Sequence, residues 1–286
     1  MLNAVIERVF ARPAASIQPV GGGMINRAAR VEVGGERYFV KTINSAPAGF
    51  FAAEADGLER LRAANALRVP QVIAHDEARD GLPAYLILEW IDDAPKSRRL
   101  SENLGRGLAA QHRVTSARYG LERDNFIGAL PQANGFAETW SAFYRDRRIS
   151  PQVELARRRG LLPPERERLL RRVIDRLDDL LGGMESVPSL LHGDLWSGNY
   201  MACDGDQPVV IDPAVYYGSR EVELAFTELF GGFSDRFYAA YDEAYPLDPG
   251  YAARRPLHQV YPLLVHLNLF GESYGAHVEA ACRPYV

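Results

Sequence analysis

Cysteine is nearly absent from this chain of 286 residues, which contains only Cys203 and Cys282. These residues have no metal-ligand spacing and cannot build a disulfide framework, so we expect a cytoplasmic protein with free thiols.

No apolar run approaches the ~18 residues of a membrane helix, and the N-terminal residues mix charges into their apolar positions, unlike a signal peptide. The net charge is −4 and the pI about 5.9, whereas nucleic-acid binders usually carry a basic stripe. We therefore expect neither a nucleic acid nor a membrane as partner.

Lysine is also rare, because only Lys41 and Lys96 among the 33 basic residues are lysine. The two basic side chains are not interchangeable, since the ammonium is a compact point charge and the guanidinium a planar fork. A chain that uses arginine almost everywhere is expected to keep a lysine where the chemistry requires one.

The pattern of predicted elements changes near residue 91. Before it, β-type segments surround one inserted helix at 51–64, after an amphipathic helix at the N-terminus; the strands are predicted at 16–20, 26–33, 37–42, 69–74 and 84–91. After it, helices dominate, with short strands at 189–191 and 208–211; the helices are predicted at 100–114, 139–160, 164–181, 221–229, 235–245 and 255–274. We therefore predict an α+β protein with two lobes, a small antiparallel sheet over 1–91 and a larger helical lobe over 92–286.

Three features of the first lobe predict a nucleotide site. Gly21, Gly22 and Gly23 lie between two predicted strands, where glycines let backbone N–H groups approach a phosphate, although a tight hairpin is the better explanation if the glycines are taken alone. Lys41 follows on a strand, and Glu54 lies 13 residues later on the helix. Protein kinases hold the α- and β-phosphates of ATP with such a strand lysine and helix glutamate.

The segment LLHGDLWSGNY in the second lobe predicts a phosphoryl-transfer loop. Asp194 and Asn199 are five residues apart, as are the catalytic aspartate and the metal-binding asparagine of protein kinases. Asp212 follows 18 residues after Asp194, where a kinase places its principal Mg²⁺ ligand. We predict Asp194 as the catalytic base and Asn199 and Asp212 as metal ligands; the alternative is two unrelated loops with turn-forming residues.

These and other motifs resemble the fructosamine kinase (ketosamine-3-kinase) family. The segments that carry the resemblance are DNFIG at 124–128, HGDLWSGN at 192–199, DPAVYYGSRE at 212–221 and TELFGGF at 227–233. The resemblance implies a protein-kinase-like fold and the use of ATP and Mg²⁺ to phosphorylate O3 of a ketosamine, the rearranged adduct of a sugar and an amine. The phosphorylated adduct then falls apart and releases the amine, which implies a role in deglycation.

The resemblance also implies further residue roles. The backbone carbonyl of Glu89 and the N–H of Ile91 would pair with adenine, beside Leu88 as gatekeeper. Trp196 would stack on the sugar, although an indole that only packs the loop is the alternative. His266 would lie near the ketosamine, although a single histidine among leucines is more often a satisfied core residue.

Two other functions stay open at this point. One is a small-molecule kinase of the aminoglycoside or choline kinase type with a different alcohol acceptor. The other is a nucleotide-binding pseudokinase, which predicts the loss of a catalytic residue, yet the predicted lysine, base and metal ligands are all present. The ketosamine can be free or protein-bound, and we expect a monomer.

Overall fold

The computed structural model describes residues 1–21, 27–184 and 186–286. Gly22 and Gly23 of the predicted phosphate loop lie outside the described residues, whereas Gly21 follows directly after the first strand. In the described part of the chain, no helix is both long and apolar enough to cross a membrane.

An antiparallel sheet with two helices forms the N-terminal part of the chain. Its elements are α1 (Leu2–Phe10), β1 (Ser16–Val20), β2 (Arg27–Val33), β3 (Glu36–Ile43), α2 (Phe50–Ala64), β4 (Val72–Asp76) and β5 (Ala84–Glu89). The strands are ordered β1–β2–β3–β5–β4, and each neighbouring pair is antiparallel. Strands β2 and β3 are joined at Gly34 and Gly35, which both have positive φ, as a tight hairpin turn requires.

The sheet is covered by a helix on each face. Val40 and Ile87 are cross-strand partners and pack with the apolar side of α1. The next residue pair, Lys41 and Leu86, points to the opposite face because side chains alternate along a strand. Leu86 and Leu88 pack there with the apolar side of α2. The alternation therefore places Lys41 on the face that α2 covers.

The C-terminal part consists mainly of helices, as predicted. Its helices are α3 (Arg98–His112), α4 (Trp140–Phe143), α5 (Ser150–Arg158), α6 (Pro164–Asp175), α7 (Leu177–Leu181), α8 (Arg220–Thr227), α9 (Asp235–Ala244), α10 (Tyr251–Phe270) and α11 (Gly275–Cys282). Short antiparallel pairs join β6 (Asn125–Ile127) to β7 (Leu130–Gln132), β8 (Ser189–Leu191) to β11 (Tyr216–Gly218), and β9 (Tyr200–Cys203) to β10 (Gln207–Val210). This agrees with the α+β prediction, while the boundary at residue 91 stays a prediction.

Several of the predicted helices differ in detail from the structure. The helix predicted at 164–181 is divided into α6 and α7. The helix predicted at 139–160 contains a π-helical segment, Tyr144–Ile149, between α4 and α5. Helix α10 begins at Tyr251, earlier than predicted, and continues through Pro256 and Pro262. Pro262 lacks the N–H that would bond to the carbonyl of His258, and the hydroxyl of Tyr144 donates to that carbonyl at 3.0 Å instead.

The apolar core continues from one part of the chain to the other. Leu58, Leu61 and Leu86 belong to the same buried cluster as Leu190 and Val215. Leu190 precedes the predicted phosphoryl-transfer loop at 192–199, which we call the catalytic loop, and Val215 follows Asp212. The predicted site residues are therefore attached to a shared packed core, which limits their relative movement.

Candidate active site

Lys41 is the centre of a buried cluster of charges. Its Nζ lies 2.7 Å from Oε1 of Glu54 on α2 and 2.6 Å from Oδ1 of Asp212. Burial alone would lower the pKa of Lys41, but the two carboxylates outweigh burial and raise it. The lysine is therefore a fixed cation, and the structure brings together the three residues that the sequence predicted from two distant segments.

Close packing holds α2 against the segment that follows Asp212. A Cβ added to Gly57 would lie 3.2 Å from Cγ of Pro213, so the absence of a side chain lets the helix approach. Asp212 itself has φ of 57°, a left-handed conformation that aspartate tolerates better than most residues. These local features direct the carboxylate of Asp212 toward Lys41.

The catalytic loop lies between β8 and β9 and is tied to the segment that carries Asp212. The Nδ2 of Asn199 donates to the backbone oxygen of Asp194 at 2.8 Å and to its carboxylate at 3.2 Å. The Nδ1 of His192 accepts from the N–H of Asp194 at 3.3 Å, so its Nε2 donates to the carbonyl of Ile211 at 2.9 Å. The buried His192 therefore joins the predicted base to the residue before the predicted metal ligand.

Asp194 is half-buried in this loop. Burial first, and the nearby charge of Asp212 second, raise the pKa of Asp194 well above its usual range, although the hydrogen bond from Asn199 opposes this. A carboxylate with a raised pKa is a stronger proton acceptor than an exposed one. The environment therefore suits the predicted role of Asp194 as a base.

Glu223 on α8, which was not among the predicted site residues, holds the backbone of the catalytic loop. Its carboxylate accepts from the N–H of His192 at 3.0 Å and from the N–H of Gly193 at 2.6 Å. The Nε2 of His112 lies 2.9 Å from the same carboxylate, and its Nδ1 lies 2.8 Å from the hydroxyl of Tyr241. Burial would raise the pKa of Glu223, but the hydrogen bond from His112 leads the interactions that lower it.

A signal for Glu223 was present in the sequence. Helix α8 is so rich in apolar residues that all positions from Glu221 to Thr227 are buried. A carboxylate in such a helix has no solvent-facing side and must find partners inside the protein. Glu221 and Glu223 are both buried accordingly.

A narrow pocket lies beside Asp194, with a cavity volume of about 20 Å³, room for roughly one water-sized group. Apolar and aromatic side chains form most of its wall, and Asp194, Glu223 and His266 are its ionisable members. Its lining consists of Ile127, Leu191, Gly193, Asp194, Tyr216, Val222, Glu223, Phe226, Tyr261, Pro262, Val265 and His266. We call it the acceptor pocket, because a hydroxyl placed in it can lie against the predicted base.

The two predicted substrate residues lie in different surroundings. His266 lines the acceptor pocket and donates from Nδ1 to the carbonyl of Pro262 at 2.8 Å. Trp196 is 43% exposed, and its ring lies over Gly198, where a Cβ would overlap the indole. It does not line the acceptor pocket. Contact of either residue with a substrate stays a prediction.

The residues predicted to pair with adenine, Glu89 and Ile91, lie beside an apolar cluster. Leu88 is buried, and the N–H of Glu89 donates to the carbonyl of Gln71 at 2.8 Å. Ile91 is buried with residues of β9 and β10, in a cluster completed by Met201, Cys203, Val209 and Ile211. The carboxylate of Glu89 is paired with Arg68, so only its backbone remains for a nucleotide base.

The oxygen atoms near the cleft suit magnesium. The amide nitrogen of Asn199 donates to Asp194, which leaves its Oδ1 directed elsewhere, and Asp212 uses one carboxylate oxygen for Lys41. Among the described residues, no group of three His, Cys, Asp or Glu side chains is arranged to hold a metal. Mg²⁺ is usually bound by one or two carboxylates together with phosphate oxygens and waters, so this sparse set fits it.

Lys96, the second lysine, also lies against the catalytic loop. Its Nζ donates to the carbonyl of Ser197 at 3.4 Å and lies 3.8 Å from the centroid of the Tyr200 ring. Lys96 had no predicted role, although the rarity of lysine in this chain indicated that each lysine is kept for a chemical reason. Both lysines of the chain therefore contact the segments that form the cleft.

Comparison with known proteins gives consistent matches over nearly the whole chain. The family model for fructosamine kinase matches residues 2–285. A probable ketoamine kinase of Enterococcus faecium is 40% identical over 261 residues, which are 91% of this chain and 92% of that protein. A chloroplastic protein-ribulosamine 3-kinase of Arabidopsis thaliana is 36% identical over 275 residues, which are 94% of this chain and 82% of that protein.

Solved structures show the same fold. The crystal structure of a protein described as a fructosamine-3-kinase from Thermobifida fusca has a TM-score of 0.90 and 38% identity, and the match covers 99% of this chain and 98% of that one. An aminoglycoside phosphotransferase has a TM-score of 0.69 at 18% identity, a likeness that concerns the fold alone. The predicted protein-kinase-like fold is confirmed.

Proposed function

This chain belongs to the fructosamine kinase family, and on that premise we propose that it transfers the γ-phosphate of ATP to O3 of a ketosamine such as a ribulosamine or fructosamine. The phosphorylated ketosamine then breaks down and releases its amine, so the biological role is deglycation. The observation that carries the proposal is the convergence of Lys41, Asp194, Asn199 and Asp212 beside the acceptor pocket.

The nucleotide occupies the cleft between the sheet and the catalytic loop. Lys41, oriented by Glu54, neutralises phosphate charge, and the backbone of Gly21 approaches the phosphates. Adenine pairs with the carbonyl of Glu89 and the N–H of Ile91. This assignment is supported by the apolar cluster that contains Ile91, since adenine is flat and largely apolar on its faces.

Asn199 and Asp212 would hold Mg²⁺, which screens the charge of the transferred phosphoryl group when it is bound. The protein's own contribution is to hold the side-chain oxygens of Asn199 and Asp212 in fixed positions. Hydrogen bonds from Asn199 to Asp194 and from Lys41 to Asp212 do this before any ligand binds. The preorganised groups supply electrostatic stabilisation without rearrangement at the moment of transfer.

The sugar lies at the mouth of the acceptor pocket and places its O3 hydroxyl against Asp194, which orients that hydroxyl and accepts its proton. His266 contacts the substrate from the far wall, since its Nδ1 is bonded to the Pro262 carbonyl and Nε2 remains as an acceptor. Trp196 covers the sugar from the rim, because its exposed indole face is large and flat.

The alternatives are less well supported by the pocket. A polycationic aminoglycoside would require an acidic lining, yet Glu223 is occupied by backbone N–H groups and, among the described residues, Asp194 is the only other acid in the wall. A pseudokinase is disfavoured because the four catalytic groups are present and lie in one cleft. We further propose a cytoplasmic monomer that binds neither nucleic acid nor a membrane; the buried, unpaired thiols of Cys203 and Cys282 fit a reducing compartment.

The direct test is an ADP-release assay with ribulosyl-lysine, fructosyl-lysine, an aminoglycoside and choline, together with phosphorus NMR of the product. We expect turnover with at least one ketosamine, a phosphate on O3, and free lysine after the product decays. Turnover with the aminoglycoside or choline alone would support the alternative kinase. No turnover with any acceptor, despite ATP binding by calorimetry, would support the pseudokinase.

A further inference from the structure

Five aromatic rings, which we call the aromatic collar, lie side by side next to the acceptor pocket: Phe226, Phe230, His266, Phe270 and Tyr274. The ring centroids of Phe230 and His266 are 4.5 Å apart, and His266 lies 5.1 Å from Tyr274 and 5.4 Å from Phe270. Phe226 lies 5.9 Å from Phe230. Each ring is within the range in which aromatic pairs interact, so the collar is one continuous surface.

Local sequence explains how these rings meet. His266 and Phe270 are four residues apart on α10 and therefore lie on the same side of the helix. Gly271, with φ of 87°, ends the helix and lets Tyr274 turn back onto it. On the other side, a Cβ at Gly232 would overlap Ser197, so the turn that carries Phe230 rests directly on the catalytic loop. The collar is therefore anchored to the segment that carries the predicted base.

The collar is partly exposed and continuous with the acceptor pocket. Phe230 is 40% exposed and Phe270 is 43% exposed, whereas Phe226 and His266 line the pocket together with Asp194. Exposed apolar patches of this kind commonly mark binding sites. Because His266 lines the pocket with Asp194 and its ring lies next to those of Phe230 and Phe270, the collar is close to the predicted position of the reacting hydroxyl.

We propose that the aromatic collar binds the amine arm of the substrate, with its rings facing the protonated nitrogen and the carbon chain attached to it. The inference rests on the proposed function, because a ketosamine carries its amine on C1, only a few bonds from O3. An ammonium over an aromatic face is attracted by the ring electrons, and the neighbouring methylene groups gain apolar contact.

The charges around the collar suit a cationic ligand. In the described part of the chain, no lysine or arginine lies over a collar ring, whereas Tyr200, Tyr216 and Tyr245 each carry one within 3.8 Å of the ring centroid. Burial lowers the pKa of His266, although its bond to the Pro262 carbonyl opposes this, so the histidine adds no positive charge at neutral pH. No side-chain cation of the described residues therefore competes for the exposed rings of Phe230 and Phe270.

The test compares Phe230→Leu with Phe230→Tyr, because leucine keeps an apolar side chain but removes the ring, whereas tyrosine keeps the ring. We expect Phe230→Leu to raise the KM for ribulosyl-lysine about 5- to 10-fold, with unchanged kcat and unchanged KM for ATP. Phe230→Tyr should stay near the wild-type value. Phe270→Leu should repeat the effect of Phe230→Leu at similar or smaller size, and Phe136→Leu, at another exposed phenylalanine, should have none.

Three outcomes would overturn the collar proposal while leaving the kinase intact. One is a wild-type KM in both leucine variants. Another is an equal loss in Phe230→Tyr and Phe230→Leu, which would indicate packing volume rather than a ring face. The third is a change in oligomeric state by light scattering without a change in KM, which would make the collar a self-association surface. Inactivity of the wild type toward every ketosamine would instead refute the proposed function.

Discussion

The two charged centres of the cleft, around Lys41 and around Glu223, are built in opposite ways. Lys41 is held by the side chains of Glu54 and Asp212, and its partners keep oxygen atoms that can bind a ligand. Glu223 is held by two backbone N–H groups and by His112, so its oxygens are already used. The first centre is suited to exchange partners with a nucleotide, whereas the second is suited to hold the catalytic loop in one conformation.

The largest expected effect is on kcat and concerns Asp194. Asp194→Asn keeps the shape of the side chain but removes its ability to accept a proton. We expect kcat to fall about 10²- to 10⁴-fold, the usual contribution of general base catalysis, while the Kd for ATP by calorimetry stays unchanged. A near-normal kcat would refute the role of Asp194. A weakened ATP affinity would instead indicate a role in the Lys41 centre.

A second prediction addresses the Lys41 centre directly. Lys41→Arg keeps the charge, but the larger guanidinium must fit a buried site between two carboxylates. Overpacking of about 1–3 kcal/mol would lower kcat/KM for ATP roughly 10- to 100-fold. Lys96→Arg is the matched control, because either cation can lie over the ring of Tyr200. Equal effects of the two substitutions would remove the distinction between the lysines.

Glu223→Gln tests whether the second centre positions the loop rather than binding nucleotide. The amide has one acceptor oxygen fewer, so a buried N–H of the loop or of His112 loses its partner, at a cost of about 1–3 kcal/mol. We expect lower stability in urea and a kcat reduced about 10-fold, with an unchanged KM for ATP. Glu243→Gln, on the exposed side of α9, should leave all three quantities unchanged. A raised KM for ATP with a normal kcat would contradict the positioning role.

The smallest effect on catalysis is expected for Glu221, which lies in α8 near the second centre but contacts Arg254 and His258 instead of the loop. Burial would raise the pKa of Glu221, but hydrogen bonds from Arg254 and His258 outweigh it and lower the pKa to about 2. Because the folded pKa lies below the unfolded value, the carboxylate stabilises the fold above about pH 4.5, and this stabilisation is lost as the pH falls toward 2.

Glu221→Gln should therefore reduce the free energy of unfolding at pH 7 by about 2–3 kcal/mol, and the difference from wild type should shrink between pH 4.5 and pH 2. Denaturant titrations at several pH values measure this. A difference that is independent of pH would show that the ion pair is not its cause. The kcat at pH 7 should change less than in Glu223→Gln.

The same contrast explains which parts of the site were predictable. Lys41, Glu54, Asp194, Asn199 and Asp212 were found because each has a chemically specific side chain at a characteristic spacing. Two other features join segments that are distant in sequence. They are the hydrogen bonds from the catalytic loop to Glu223 and the contact of Lys96 with that loop. Short strands were missed for a related reason, since three or four residues such as those of β6 and β11 give almost no periodic signal.

By itself, the amino-acid sequence determined the α+β architecture and the kinase family, and it predicted the charged groups of the nucleotide side, because periodicity and motif spacing are local properties of a chain. Only the tertiary structure decided which acid holds the catalytic loop, where Trp196 lies, and that rings from α8, α10 and the turns after them form a single collar. These depend on packing between elements far apart in sequence, where burial and geometry, rather than residue type, select each partner.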